Sequence, residues 1–222
     1  DKLNIKNYIF FKAIRPTENC LKKYPHLDKQ ELPIDTKIGR LGCILSHVNV
    51  MKDALNNNYK NIIIFEDDIN ILDINFISKT EEYINSLNNN FEVLFLGANH
   101  KRPARKKIMD NIYECKMSNT TFAYCINSDT MKRLVVDYSY KFPYDIHWRR
   151  TFDKKPKIKF YCIIPHLVNV INSTSTIDNV FFNLSKKIYC SQERLLDGHE
   201  KPDFMKDNKW KTLYNDGLYE SD

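Results

Sequence analysis

The stretch Asn61-Ile-Ile-Ile-Phe-Glu-Asp-Asp-Ile-Asn70 sets three carboxylates directly behind four large apolar side chains. An apolar run that does not alternate suits a central strand covered on both faces. In open α/β sheets, ligands bind beyond the carboxyl ends of the strands, where Glu66, Asp67 and Asp68 fall. Neighbouring carboxylates repel one another there, and burial makes each harder to ionise. A divalent ion relieves both effects, and Mn²⁺ or Mg²⁺ takes one or two protein carboxylates and completes its shell with phosphate and water. If the strand persists, positions 66 and 68 share a face, so Glu66 and Asp68 are the expected metal pair, with Asp67 on the other side. The plainer alternative is a solvated turn whose acids cap the next element.

The flanking pattern supplies the fold class. Leu41, Ile44, Leu45, Val48, Met51 and Leu55 recur at spacings of three and four, a helix with Gly39 and Gly42 at its start and Asn56-Asn57-Asn58 at its end. Phe76 to Leu87 repeats that spacing, and Val93-Leu-Phe-Leu96 is a second buried strand closed by Gly97. Helix, strand, helix and strand in that order imply an α/β domain with a largely parallel sheet. Tyr8 to Ile14, aromatic and β-branched, is expected to be a short strand, and 17–38 a loop holding at most a helical turn. Further strands are expected at Thr121–Ile126 and Ile158–Ile164. Helices are expected after Asn127 or Ser128, through Met131, Leu134, Val135 and Tyr138, and over 178–187. No repeat or linker interrupts the chain, so one domain spans 1–222, with an irregular tail over 201–222.

Composition narrows the partners. The 222 residues are 42% apolar, enough to fill a sizeable core. Thirty-four Lys and Arg against 28 Asp and Glu give +6, part of it gathered between Lys101 and Lys107. That permits a polyanionic partner. Zinc-finger spacing, an RNP pattern and a basic groove-binding helix are all missing, so nucleic acid is not expected. A diphosphate-bearing small molecule fits the charge equally well, with the 101–107 loop either merely solvated or an arm closing over the diphosphate. None of the six cysteines forms a Cys-x-x-Cys pair and at least three lie in apolar runs, which favours buried free thiols and a reducing compartment, while the even count leaves disulfides open. Asn-x-Ser/Thr triplets at Asn119, Asn172 and Asn183 are close to what chance gives. No apolar run approaches the roughly 18 residues of a membrane span. The chain opens on Asp1 rather than Met, which leaves room for polypeptide upstream.

Gly39-Arg-Leu-Gly42-Cys43-Ile-Leu-Ser46-His47, a helix, and then Ile63-Ile-Phe-Glu66-Asp67-Asp68 resemble glycosyltransferase family 25, which includes lipopolysaccharide-type and collagen galactosyltransferases. Phe10-Phe-Lys-Ala-Ile14, Phe95-Leu96-Gly97 and Thr121-Phe-Ala-Tyr124 follow in the family's order, and Pro143-Tyr-Asp145 and Ser175-Thr-Ile177 match more weakly, covering about residues 8 to 178. The resemblance implies a GT-A-like fold, a mixed, mainly parallel sheet sandwiched between helices. It implies a UDP-sugar donor and Mn²⁺ (or Mg²⁺) held through an Asp-x-Asp-type motif, here Glu66-Asp67-Asp68. The implied reaction is inverting transfer of galactose or glucose to a hydroxyl on a glycan or protein. Carried over residue by residue, Asp145 is the general base, and Glu66, Asp67, Ser46 and His47 bind the donor. Asp68, Glu66 and the downstream His166 hold the metal; His100 and His147 are lesser candidates, and Trp148 either stacks on the acceptor or fills the core. The family's opening Ile-Asn-Leu-x-x-Arg strand is expected to be missing, and His166-Leu-Val-Asn169 stands where a Gln is expected. Arg40 and Leu41 also replace an acidic and a small apolar residue.

Two other classes compete. A non-catalytic glycosyltransferase-fold protein would use the same surface for binding or assembly. A phosphatase would need an Asp nucleophile where Glu66 stands. The Asn- and Lys-rich, Gly-poor composition suits an AT-rich genome, a large DNA virus or a low-GC bacterium, and a cytoplasmic site ahead of a secretory lumen.

Overall fold

The computed structural model describes residues 5, 8–115, 118–137, 144–146, 148, 159–171, 173–174, 181–182, 184–201 and 205–206. Tyr138, Pro143, His147, residues 175–177 and most of the tail beyond Lys201 lie outside them.

One-turn helices α1 (Glu18–Leu21) and α2 (Pro25–Asp28) precede the long α3 (Ile34–Asn56). The helix begins seven residues before the expected Leu41, because Ile38 extends the apolar spacing and packs with Leu21, Leu27 and Leu41 in a small core of its own. Gly39 and Gly42 therefore lie inside the helix. At Gly42 the reason is a close approach: a Cβ there would stand 2.6 Å from the Ile14 carbonyl oxygen and 3.2 Å from Pro16 Cδ. The expected strand at Tyr8–Ile14 is corrected, since this segment joins no ladder among the described residues and Tyr8, Ile9, Phe10 and Phe11 are exposed. A strand needs a neighbour for its backbone, however suitable its side chains are.

After α3 come β1 (Asn61–Phe65), β2 (Ile69–Ile71), α4 (Phe76–Ser86) and β3 (Val93–His100). Next are β4 (Lys106–Met109), β5 (Ile112–Glu114), β6 (Ser118–Asn127), α5 (Ser128–Asp137) and β7 (Phe160–Ile163). Then follow β8 (Val168–Val170), the short pair β9 (Ser173–Thr174) and β10 (Phe181–Phe182), and α6 (Leu184–Leu195).

Six strands form one sheet in the order β1-β6-β3-β7-β5-β4, while β2 and β8 pair separately. The mixed α/β class holds, but the mainly parallel sheet is corrected: β3 and β7 are the one parallel pair in this sheet among the described residues. Strands β1 and β3 do share a direction, as a strand–helix–strand unit requires. The antiparallel β6 lies between them, and the alternation of elements along a chain does not say which later strand will intervene. For the same reason β1 stands at the sheet edge rather than at its centre.

Both faces of the sheet are covered, and the side-chain period of two sorts residues between them. Val93, Phe95, Tyr124, Ile126 and Cys162 pack towards α3 and α5, with Leu195 and Leu196 at the end of α6. Leu94, Leu96, Ala123, Cys125 and Ile163 pack towards α4 and the β2–β8 ribbon. At Gly97 that ribbon comes so close that a Cβ would lie 2.1 Å from the Val168 carbonyl oxygen. The carboxyl ends of β1, β3 and β7 share one edge of the sheet with the start of β6, which collects residues distant in sequence.

Candidate active site

The backbone first fixes Glu66. Its N–H donates to the Phe122 carbonyl (2.9 Å), so it continues the β1–β6 pairing one residue past the strand and takes the face of Ile64, towards α3. Asp67 and Asp68 then form a turn, with Asp67 exposed and Asp68 half-buried. The strand does not persist to position 68, so side-chain alternation does not set the direction of Asp68. Instead β2 begins at once, and Ile171 N–H donates to the Asp68 carbonyl (2.8 Å).

His47 lies a turn along from Cys43 on α3 and meets Glu66, Nε2 to Oε1, at 3.3 Å. Its Nδ1 is 2.8 Å from the Tyr124 hydroxyl, and the Tyr144 ring stacks on it with centroids 4.6 Å apart. Burial pushes the Tyr124 phenol well up, so it keeps its proton. On the other side of the ring, an Nε2–H donates to the Glu66 carboxylate. Thr121 Oγ1 donates to the same Glu66 oxygen at 3.0 Å. Burial alone would raise the Glu66 carboxyl, but the hydrogen bond and charge of His47, with the Thr121 hydroxyl, hold it below the usual range. Glu66 is thus an ionised, oriented carboxylate.

Asp145 enters from a short helical turn. Its Oδ2 accepts from Thr120 N–H (3.1 Å), at a residue with φ of +71°, and its Oδ1 accepts from Ile146 N–H (2.7 Å). Asp145 and Glu66 are thus held by the neighbouring residues Thr120 and Thr121, and burial, then the negative charges of both, pushes the Cys43 thiol up. Ligating atoms of Cys43, His47 and Glu66 lie within 4.8 Å of one another. Asp68 differs from its neighbours. Its Oδ1 is buried with no hydrogen-bond partner, and burial, then Glu66 and Asp67, raises its carboxyl above the ordinary value. A half-buried carboxylate with an orphaned oxygen, among like charges, suits a divalent oxygen-seeking cation.

The other sequence candidates are dispersed. Ser46 spends its hydroxyl on the fold, donating to the Gly42 carbonyl (2.7 Å) and accepting from Ile14 N–H (2.9 Å). The structure does not bring His166 to the acids. Ile171, not His166, stands opposite Asp68, and His166 is not among the groups whose ligating atoms gather within 4.8 Å around Glu66. His166 faces His100 instead, with their Nε2 atoms 3.0 Å apart. Trp148 is buried against Phe95, Tyr124 and Phe160. In the basic segment, Lys106 and Lys107 belong to strand β4, with Arg105 and Lys106 near Glu114 and Lys107 paired to Asp110. Sequence reasoning missed Thr121, Tyr124 and Tyr144. Only the spacing of Cys43 and His47, one helical turn apart, carried a hint of this corner.

The sequence pattern of glycosyltransferase family 25 (LPS biosynthesis protein) matches residues 2–148. No curated protein is significantly similar to the chain in sequence. Among solved structures, mannose-1-phosphate geranyltransferase from Thermus thermophilus matches with a TM-score of 0.37 and 11% identity, over 54% of this chain and 49% of that one. The chain thus spans about half the length of that structure, and so loose a likeness bears on no residue's role. The family match covers more than half of the chain and takes in α3, the acidic corner and Asp145, so the chain belongs to glycosyltransferase family 25.

Proposed function

We propose that the chain is a GT-A-like, metal-dependent, inverting hexosyltransferase, one domain over 1–222. It moves galactose or glucose from a UDP-sugar to a hydroxyl on a glycan or protein, in a cytoplasmic setting. Asp68 carries this reading: a half-buried carboxylate with an unpartnered oxygen, beside Glu66 and Asp67, where the sheet's strands end. Asp68, with Glu66 next to it, would hold Mn²⁺ or Mg²⁺, and the ion would supply positive charge to the departing diphosphate.

The chain's own groups do the rest. Glu66, Asp67 and the Ser46–His47 turn of α3 are assigned to the donor. Asp145, held by two backbone N–H groups, is the base. The acceptor oxygen bonds to the anomeric carbon as that carbon's bond to the UDP oxygen breaks. The bonding pair leaves with UDP, the anomeric configuration inverts, and the hydroxyl proton passes to an Asp145 oxygen. Among the described residues no helix is long and apolar enough to cross a membrane.

A second reading, a glycosyltransferase-fold protein that binds without catalysing, draws on the internal use of Ser46 and Glu66. A panel of nucleotide-sugars separates the two. Manganese-dependent release of UDP from UDP-galactose or UDP-glucose is expected. UDP binding without turnover of any donor supports the second reading, and no UDP binding by calorimetry overturns the first.

A further inference from the structure

A second group of ligating side chains lies away from the acidic corner. His100 ends β3, Cys115 follows β5 and Cys162 lies in β7, and all three are buried. A ring nitrogen of His100 and the two sulfurs lie within 4.8 Å of one another. Beside them is His166, also buried, with Nε2 3.0 Å from His100 Nε2. We propose that His100, Cys115 and Cys162, with His166 alongside as the fourth group, form a structural site for a zinc ion.

Ligand chemistry selects the metal. Two thiolates and imidazole nitrogen favour Zn²⁺ over the oxygen-seeking Mn²⁺ and Mg²⁺ suited to Asp68. Charge agrees, because two thiolates cancel the ion's charge and the loaded site adds no net charge to the core. Space agrees as well. Three atoms within 4.8 Å of one another share a point no more than about 2.8 Å from each, so modest side-chain movement reaches Zn–N and Zn–S bonds of about 2.0–2.3 Å.

The hydrogen bonding carries the second indication. Ser118 Oγ lies 2.7 Å from His100 Nδ1, the type of outer contact that orients a ligating imidazole and leaves Nε2 for the ion. The thiols would give up two long contacts, Cys115 Sγ to the Phe160 carbonyl at 3.5 Å and Cys162 Sγ to the Tyr113 carbonyl at 3.6 Å, and their hydrogen bond to each other. On loading, each sulfur releases its proton to solvent as it bonds to the metal.

Such an ion would tie β3, β5 and β7 to the turn that leads into β8. That strand is paired with β2, and the next residue, Ile171, holds the Asp68 carbonyl. The test is cobalt substitution in the full chain, stripped of metal. One equivalent of Co²⁺ is expected to give a thiolate charge-transfer band in the near ultraviolet and the visible bands of a tetrahedral site. Zinc should displace them, and replacing both cysteines (Cys115→Ser with Cys162→Ser) should remove the charge-transfer band, while Asp68→Asn keeps it. Protein purified without added metal should also carry close to one zinc per chain by elemental analysis. A wild-type spectrum without the charge-transfer band overturns the site even if the double cysteine variant fails to fold, and so does a band that survives the double substitution.

Discussion

Glu66 Oε1 stands 3.3 Å from His47 Nε2, where the end of β1 meets the middle of α3. Thr121 donates to the same oxygen and Tyr124 closes the other side of the imidazole, so strand, helix and a second strand are tied through one carboxylate. The acidic corner is therefore part of the packing of the fold as well as its candidate chemistry.

His47→Ala removes a buried hydrogen bond to a charged group and should destabilise the protein by about 2 kcal/mol, with Tyr124→Phe costing about 1 kcal/mol. Urea unfolding of the three proteins is the measurement, and unchanged midpoints would refute the linkage.

The folded Glu66 carboxyl lies below its ordinary value, so its stabilisation is full above the unfolded pKa of about 4.3 and fades as pH falls through the lower folded value. The stability difference between wild type and Glu66→Gln should be level near neutrality and shrink on acidification below about pH 4. A difference that widens in acid would mean that folding raises this carboxyl instead of lowering it.

Asp68 has the opposite sign. Its folded carboxyl is raised, so the ionised form works against folding at neutral pH, and Asp68→Asn should make the metal-free protein more stable. Manganese should raise the melting temperature of the wild type, by about 2.7 kcal/mol of stability at a hundredfold excess over Kd, and leave the variant unmoved. Manganese affinity should also begin to fall at a pH above the usual aspartate range near about 3.9. Thermal melts with and without manganese, repeated across pH, check these statements.

Asp145→Asn keeps an oxygen for the Thr120 or Ile146 N–H and removes the proton acceptor. It should lower kcat for sugar transfer by about 10²–10⁴ while UDP still binds. Equal loss of binding and turnover would make Asp145 a structural residue.

Gly97→Ala would drive a Cβ to 2.1 Å from the Val168 carbonyl oxygen and 2.6 Å from the Phe122 ring. Backbone must move to admit it, so the variant should lose about 3 kcal/mol or fail to fold. Circular dichroism during thermal unfolding reads the result.

The sequence by itself determined the elements that answer to local rules. The Ile62–Phe65 run, the three-and-four spacing through α3 and the Val93–Leu96 run closed by Gly97 are properties of short segments, and each appears in the structure as strand or helix. The Glu66-Asp67-Asp68 cluster was legible for the same reason, since three acids behind a buried strand are anomalous wherever the strand lies. What required the tertiary structure was every relationship between segments. Strand β6 comes to lie between β1 and β3, His47 reaches Glu66 from α3, Thr121 and Tyr124 complete that corner, and His166 goes to His100 rather than to the acids. Periodicity says which face of an element is buried, whereas the partner it is buried against depends on how all the faces close around one core.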